Sequence, residues 1–308
     1  MSRRIQLPPH LASQAFGIGQ ARNSGVNYGR TRSSDLVAPF HGTRAPADRW
    51  LPATPEDAVR QLAADYAPRL KPGQCFCELT SLVLFGAPVP RSRRDEHKVH
   101  VGAIPPRMPP RARGTRPHYT PLESSYVTLG LPVCSPVDAW LQCGGSLTRD
   151  ELVLLGDALV RRQNPLTTLA KLKSRVAVSS TSPGIGTLRD ALALIRPRTD
   201  SPPETEVRLM LLEHGLPEPA VNLAILDDNG RFLGFGDLVY PDFNVVIEYD
   251  GEYHFGLTAQ RVKDLDRIAS FVEAGRTVVQ VHKEHLTGDR SIILGRIRRA
   301  LVARGWRG

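Results

Sequence analysis

Long apolar runs are missing from this 308-residue sequence, and cysteine is scarce. No apolar stretch approaches the roughly 18 residues that a membrane-spanning helix requires, which argues against an integral helical membrane protein. The opening Met1-Ser2-Arg3-Arg4-Ile5 is not followed by the apolar core of an export signal, so a cytoplasmic protein is expected. The four cysteines, Cys75, Cys77, Cys134 and Cys143, lack the paired C-x2-C spacing of a zinc site. Cytosolic chains seldom form disulfides, and the four are expected as buried thiols. What is present is ordinary globular material, 41% hydrophobic and 23% charged, in a chain long enough for two or three domains. Forty Lys and Arg against thirty-one Asp and Glu give a formal charge of +9, which favours nucleic acid or another anionic partner. A generally basic surface is the alternative, since charge speaks to association and not to fold.

Residues 10–45 have the pattern of a small helical unit. A helix is expected over Phe16–Ser24, a break at Gly25-Val26, a polar helix over Asn27–Leu36, and a short hairpin or wing at Pro39–Arg44. In that layout Arg30 and Arg32 would reach base edges or phosphates of DNA, and Arg44 would touch the backbone from the wing. The competing reading is a small packed unit with solvated arginines. Thr54-Pro55-Glu56-Asp57 combines an N-cap, a first-turn proline and first-turn acids, and predicts a helix running to about Tyr66. Between Val89 and His118 lies the densest basic stretch, with Arg91, Arg93, Arg94, Lys98, Arg107, Arg111, Arg113 and Arg116 interrupted by Pro105-Pro106 and Pro109-Pro110. It reads equally as a phosphate contact or as a solvated loop. A helical stripe of Leu152, Leu155, Ala158 and Leu159 marks core, and the Ser/Thr-rich run Val176–Gly186 marks the boundary to a last domain. The expected division is 1–50, 51–180 and 181–308.

The most informative stretch joins Gly236-Asp237-Leu238 to Val245-Val246-Ile247-Glu248-Tyr249-Asp250-Gly251. Carboxylates are rare in apolar strands. Because strand residues alternate faces, Glu248 and Asp250 should share a side with Val246, while Phe243, Ile247 and Tyr249 take the other. With Asp237 on the preceding strand, these acids form an oxygen-rich set suited to Mg2+ or Mn2+. The expected order after residue 200 is helix, strand, strand, strand, helix, strand, helix. Ser201-Pro202-Pro203-Glu204 opens the first helix, and Asn229-Gly230 signals a hairpin between strands at 220–226 and 231–240. A third strand at 243–249, a crossover helix at 258–274 and a strand at 277–281 complete a parallel connection. On the crossover helix Gln260, Asp264 and Arg267 share one face, beside an apolar face of Leu265, Ile268, Ala269 and Val272.

These residues carry a resemblance. The αβββαβ order with Glu204, Asp237 and Glu248-x-Asp250 resembles the PD-(D/E)XK nuclease superfamily. Pro241-Asp242-Phe243 and Glu248-Tyr249-Asp250-Gly251-Glu252-Tyr253-His254, with Gln260, Asp264, Arg267 and Gly275, resemble a domain related to Vsr-like endonucleases over about residues 184–308. The first 180 residues resemble actinobacterial proteins with an AbiEi-like winged-helix region. That likeness is carried by Gly25-Val26, Asp35-Leu36, Pro39-Phe40-His41-Gly42, Gly130-Leu131-Pro132 and Gly156-Asp157-Ala158. The resemblances imply a multi-domain α+β protein: an amino-terminal winged helix, a mixed middle region and a restriction-endonuclease-like core. They also imply DNA binding, with links to transcriptional control and phage defence.

The expected activity is metal-dependent hydrolysis of DNA phosphodiester bonds. Asp237 and Glu248 would hold Mg2+ or Mn2+, with Asp250 as neighbour or further ligand and Glu204 holding a metal-bound water. Lys263 or Arg267 would stabilise the developing phosphate charge, and His254 would serve as auxiliary acid or base. Where the superfamily carries a lysine this chain has Asp250, which leaves a relocated cation, histidine-assisted chemistry or an inactive enzyme. Each residue also has a bland reading. Glu204 could simply complement a helix dipole, Asp250-Gly251 could form a turn, and Asp264 and Arg267 could be a surface pair. His254, His282 and His285 are more often structural than catalytic. The chief rival is a non-enzymatic DNA-binding regulator resembling an antitoxin, which would have no use for carboxylate-dependent metal affinity. A protein-interaction module of a defence system would in addition lack salt-sensitive DNA affinity. A homodimer and a toxin or defence-system partner are both compatible with the sequence.

Overall fold

Where the chain enters a helix, local chemistry decides the boundary. Thr54 caps the helix Pro55–Tyr66 by accepting the Asp57 N–H at 3.1 Å, and Pro55 occupies the first turn, where its missing N–H costs nothing. A computed structural model describes residues 6–49, 51–120, 126–251 and 258–308, with the side chains of 258–261 also outside the description. It is a mixed α/β chain with three sheets. It divides into two compact units, residues 1–155 with 170–189, and 156–169 with 190–308. The segments expected as domains 1–50 and 51–180 thus fall mostly within one unit.

The first unit begins with α1 (Pro9–Ala12), β1 (Phe16–Gly17), α2 (Ile18–Asn23), β2 (Leu36–Val37) and β3 (Thr43–Pro46). The three strands form a small antiparallel sheet in the order β1-β3-β2. The expected hairpin around Pro39–Arg44 is present, with Gly42 at φ +82° in its loop. The polar helix expected over Asn27–Leu36 is not. Only a 3-10 turn, Arg30–Arg32, forms there. The Asn27 side chain accepts the Arg30 N–H at 2.8 Å and Thr31 Oγ1 donates to the Tyr28 carbonyl, local bonds that compete with helix extension.

Then come α3 (Pro55–Tyr66), β4 (Gln74–Phe76), α4 (Glu78–Leu84), β5 (Val99–Ala103), β6 (Thr115–Tyr119), β7 (Tyr126–Thr128), β8 (Leu131–Val133) and α5 (Pro136–Gln142). Their strands build a five-stranded sheet ordered β6-β5-β4-β8-β7, with β5 and β6 parallel. Phe40, Tyr66, Phe76, Val99, Val101 and Val133 pack its core. All four cysteines are buried free thiols, as their burial preference implied. The chain crosses between units along α6 (Arg149–Leu159), α7 (Leu169–Ala177) and α8 (Ile185–Leu194).

The second unit adds α9 (Pro202–Glu213), β9 (Ala220–Leu226), β10 (Phe232–Tyr240), β11 (Val245–Asp250), α10 (Thr258–Glu273), β12 (Thr277–His282), α11 (Lys283–Thr287) and α12 (Ser291–Ala303). Its sheet runs β12-β11-β10-β9, antiparallel except for the β11–β12 pair, as a crossover through α10 requires. Val245 and Ile247 join Val207, Met210, Leu211, Ile293, Ile297 and Leu301 in the larger core, with Phe243 and Tyr249 packed against it. Val246 instead packs with Ile225, Val239 and Phe271. The alternation expected along β11 is therefore present at Val246 and Ile247. The face of α10 differs from expectation: Leu265 and Val272 are more than half exposed, and Phe271 is fully buried in their stead. The helix turns Arg267 and Phe271, one turn apart, towards the sheet. No helix among the described residues is long and apolar enough to cross a membrane.

Candidate active site

The β10–β11 ladder stops at Leu238↔Ile247, and carboxylates take over where backbone pairing ends. The Asp237 N–H donates to Glu248 Oε1 at 3.2 Å, and the Tyr249 N–H donates to Asp237 Oδ2 at 2.9 Å. Two backbone donors thus fix two acidic side chains. Gly236 is required beside them: a Cβ there would lie 2.8 Å from methyl carbons of Val239 and Val246. Glu248 Oε2 meets Arg267 Nη2 at 2.8 Å, and Arg267 Nη1 donates to the Phe235 carbonyl at 2.8 Å. Gly234 makes room for that guanidinium, since a Cβ would stand 3.0 Å from Arg267 Cδ.

Glu204 reaches the same region from the first turn of α9. Its Oε2 accepts from the Asp200 N–H at 3.0 Å and from Asn222 Nδ2 at 2.7 Å, and its Oε1 accepts from Ser201 Oγ at 2.8 Å. Asn222 holds a left-handed conformation at φ +46°, a geometry Asn tolerates better than most residues. Burial, reinforced by the nearby charge of Asp237, pushes the Glu204 carboxyl up to about 7. The same two causes push Glu248 up to about 7, against the opposing pull of Arg267. Burial also raises Asp237, opposed by the Tyr249 N–H and Arg267, while Asp200 and Asp264 add to the rise.

Of the residues singled out from sequence, Glu204, Asp237, Glu248 and Arg267 thus act on one another. Asp250 does not join them through any bond shown. It lies about 40% exposed at the end of β11, with its carboxylate 3.6 Å from His282 Nδ1, its register partner on β12. Lys263 is exposed on α10. His254 lies outside the described residues, as do Glu252 and Tyr253 and the side chain of Gln260. His282 and His285 serve structure: the His282 N–H donates to His285 Nδ1 at 3.0 Å in a capping box on α11. In the first unit Arg30 is buried and forks onto Asp35 at 2.9 and 2.8 Å. Arg44 donates to the carbonyls of Thr31 and Thr43, so both guanidiniums are engaged in holding loop backbone and side chains. Arg32 is exposed, its guanidinium 5.4 Å from the Tyr28 ring centroid.

Sequence reasoning missed Asn222 and Asp200, which orient Glu204, and a buried pair beneath α9. Arg208 Nη2 donates to Asp157 Oδ2 at 2.7 Å with both side chains essentially inaccessible. Asp157 also accepts from Thr205 Oγ1 at 2.8 Å and the Arg196 N–H at 2.7 Å. Arg208 inside the otherwise apolar run Val207–Leu212 was the available signal.

The chain is similar to two uncharacterized proteins of Mycobacterium tuberculosis, MT2308 of strain CDC 1551 / Oshkosh and Rv2248 of strain ATCC 25618 / H37Rv. It is 29% identical to each over 133 residues, 43% of this chain and 48% of the relative. The match therefore spans about half the length of those relatives. No family model matches the chain, and no solved structure matches it.

Proposed function

We propose that the second unit is a metal-dependent endonuclease hydrolysing DNA phosphodiester bonds, with the basic first unit contributing DNA binding. One observation carries the reading: Glu204 and Glu248 are buried carboxylates, and half-buried Asp237 raises the proton affinity of both where two strands part. Glu248 is paired with Arg267, and Arg162, which also acts on Glu204, is paired with Asp200, so the three carboxylates keep a deficit of positive charge. Oxygen donors with that deficit fit a hard dication such as Mg2+ or Mn2+.

Asp237 and Glu248 would hold the ion. When bound, it supplies charge neutralisation on the phosphoryl oxygens and a more acidic water. Glu204, oriented by Asp200, Ser201 and Asn222, carries a carboxyl near 7 that suits accepting a proton from the attacking water at neutral pH. Arg267 is anchored on the Phe235 carbonyl and can turn its other nitrogen from Glu248 to a phosphate oxygen. It thereby takes the role that a lysine at position 250 would have filled. Lys263, exposed on the same helix, supports the phosphate, and Asp250 has the lesser part of an outer neighbour. The likeness to PD-(D/E)XK and Vsr-like nucleases in strand order and acid spacing points the same way. The AbiEi-like winged-helix likeness of the first 180 residues supports DNA as substrate.

The 2.8 Å Arg267–Glu248 contact favours a second reading, in which arginine takes the place of the metal and the fold survives as the scaffold of an antitoxin-like regulator. Isothermal titration of Mn2+ into the full chain separates the two. A nuclease takes up Mn2+ in wild type and loses it in Asp237→Asn, with plasmid cleavage lost in parallel. A regulator binds DNA with no Asp237-dependent metal uptake.

A further inference from the structure

Away from the acidic site, the first unit gathers three metal-ligating side chains. Glu78 opens α4, His100 sits on β5 and His118 on β6. The parallel register pairs His100 with Arg116 and Gly102 with His118, so the two histidines are offset by two residues and their rings stack at 5.1 Å. His100 Nδ1 lies 3.0 Å from His118 Nε2 and in close contact with Glu78 Oε2, which is 4.0 Å from His118 Nε2. Among the described residues these three form the one His/Cys/Asp/Glu group whose ligand atoms all fall within 4.8 Å of one another.

Hydrogen bonding alone does not satisfy this arrangement. A proton on His100 Nδ1 can be given to Glu78 or to His118 Nε2, and one on His118 Nε2 can be given to His100 Nδ1 while Glu78 faces a lone pair, so no single proton joins all three. A cation at the centre accepts from all three. The outer contacts suit that use. Ser146 Oγ donates to Glu78 Oε1 at 3.0 Å, and the Glu78 N–H donates to Gln142 Oε1 at 3.1 Å, holding the residue at φ +47°. His100 Nε2 is buried without a hydrogen-bond partner, and Glu96 Oε1 stands 3.8 Å away. Metal binding at Nδ1 fixes the proton on Nε2, and a small closure gives that proton to Glu96, the carboxylate–histidine–metal arrangement of many sites.

We propose that Glu78, His100 and His118 form a binding site for a divalent transition ion of Zn2+ type. Two imidazoles and one carboxylate are softer donors than the all-oxygen set of the second unit, and three protein ligands leave a position open to water. His118, 24% exposed, lies on the solvent side of the group.

The test is Zn2+ titration of the tag-free, chelator-stripped full chain, with bound metal counted by elemental analysis and Co2+ absorption reporting coordination. Expected is one Zn2+ per chain that survives excess Mg2+ and persists in Glu248→Ala, with affinity at least about 100-fold weaker in His118→Ala and about 10-fold weaker in Glu96→Gln. His118→Phe, which keeps ring volume, substitutes should the alanine variant not fold. Absence of stoichiometric Zn2+ in wild type, or Zn2+ retained in folded His118 variants, overturns the proposal.

Discussion

Arg267 neutralises Glu248 inside a cluster of like charge. Removing one partner of a buried pair strands the other. Arg267→Met should therefore destabilise the metal-free protein by about 3–5 kcal/mol at pH 8, and by less at pH 5, in denaturant unfolding. Glu248 makes the converse prediction. Its folded carboxyl titrates at about 7 against an ordinary 4.5, so the folded chain holds the proton more tightly across that window. Stability from this group is full below about 4.5 and is lost as pH rises towards 7. Relative to wild type, metal-free Glu248→Gln should gain about 1–3 kcal/mol between pH 5 and pH 8. A parallel pH dependence in the two proteins would mean that Glu248 is not raised. Asp250, at the strand end with His282, belongs to a different environment. Asp250→Asn is expected to cut nuclease rate by less than about tenfold, since it removes no buried ligand.

At the scale of elements, β10 is built around its glycines. Gly236→Ala would drive a methyl against Val239 and Val246 at 2.8 Å, an overpacking expected to cost about 1–3 kcal/mol in unfolding measurements. An unchanged midpoint would show that the strands separate freely there. The strands and helices of the second unit were legible because their signals are local: Asn229-Gly230 closes a hairpin with Gly230 at φ +79°, and Val245–Ile247 is apolar throughout. Glu204, Asp237 and Glu248 could be read as a set because strand order and helix start constrain them. The face of α10 could not, since its orientation is decided by the Arg267–Glu248 pair and by Phe271 rather than by the count of apolar residues. The missing helix over Asn27–Leu36 reflects side-chain bonds from Asn27 and Thr31 that periodicity does not register. His100 and His118 are not legible as a pair in the sequence, because the parallel β5–β6 register that joins them is a long-range fact.

At the scale of the whole molecule, the division into two units makes Asp157 informative, because its contacts with Arg208, Thr205 and Arg196 tie residues 156–169 to the rest of the second unit. Asp157→Ala removes the closer partner of the buried Arg208 guanidinium, leaving it Glu218 at 3.4 Å, and should cost about 3–5 kcal/mol, read in hydrogen exchange as loss of protection in α9 before the five-stranded sheet of the first unit. The formal charge of +9 predicts DNA affinity that falls steeply as salt rises, for the nuclease and the regulator alike. Cleavage separates them. The most direct measurement is nicking of supercoiled plasmid by the full chain with Mg2+ or Mn2+, beside Glu248→Ala and a chelator control. The account predicts metal-dependent nicking that disappears in both controls. DNA bound but left intact with either metal, or nicking undiminished in Glu248→Ala, would contradict it.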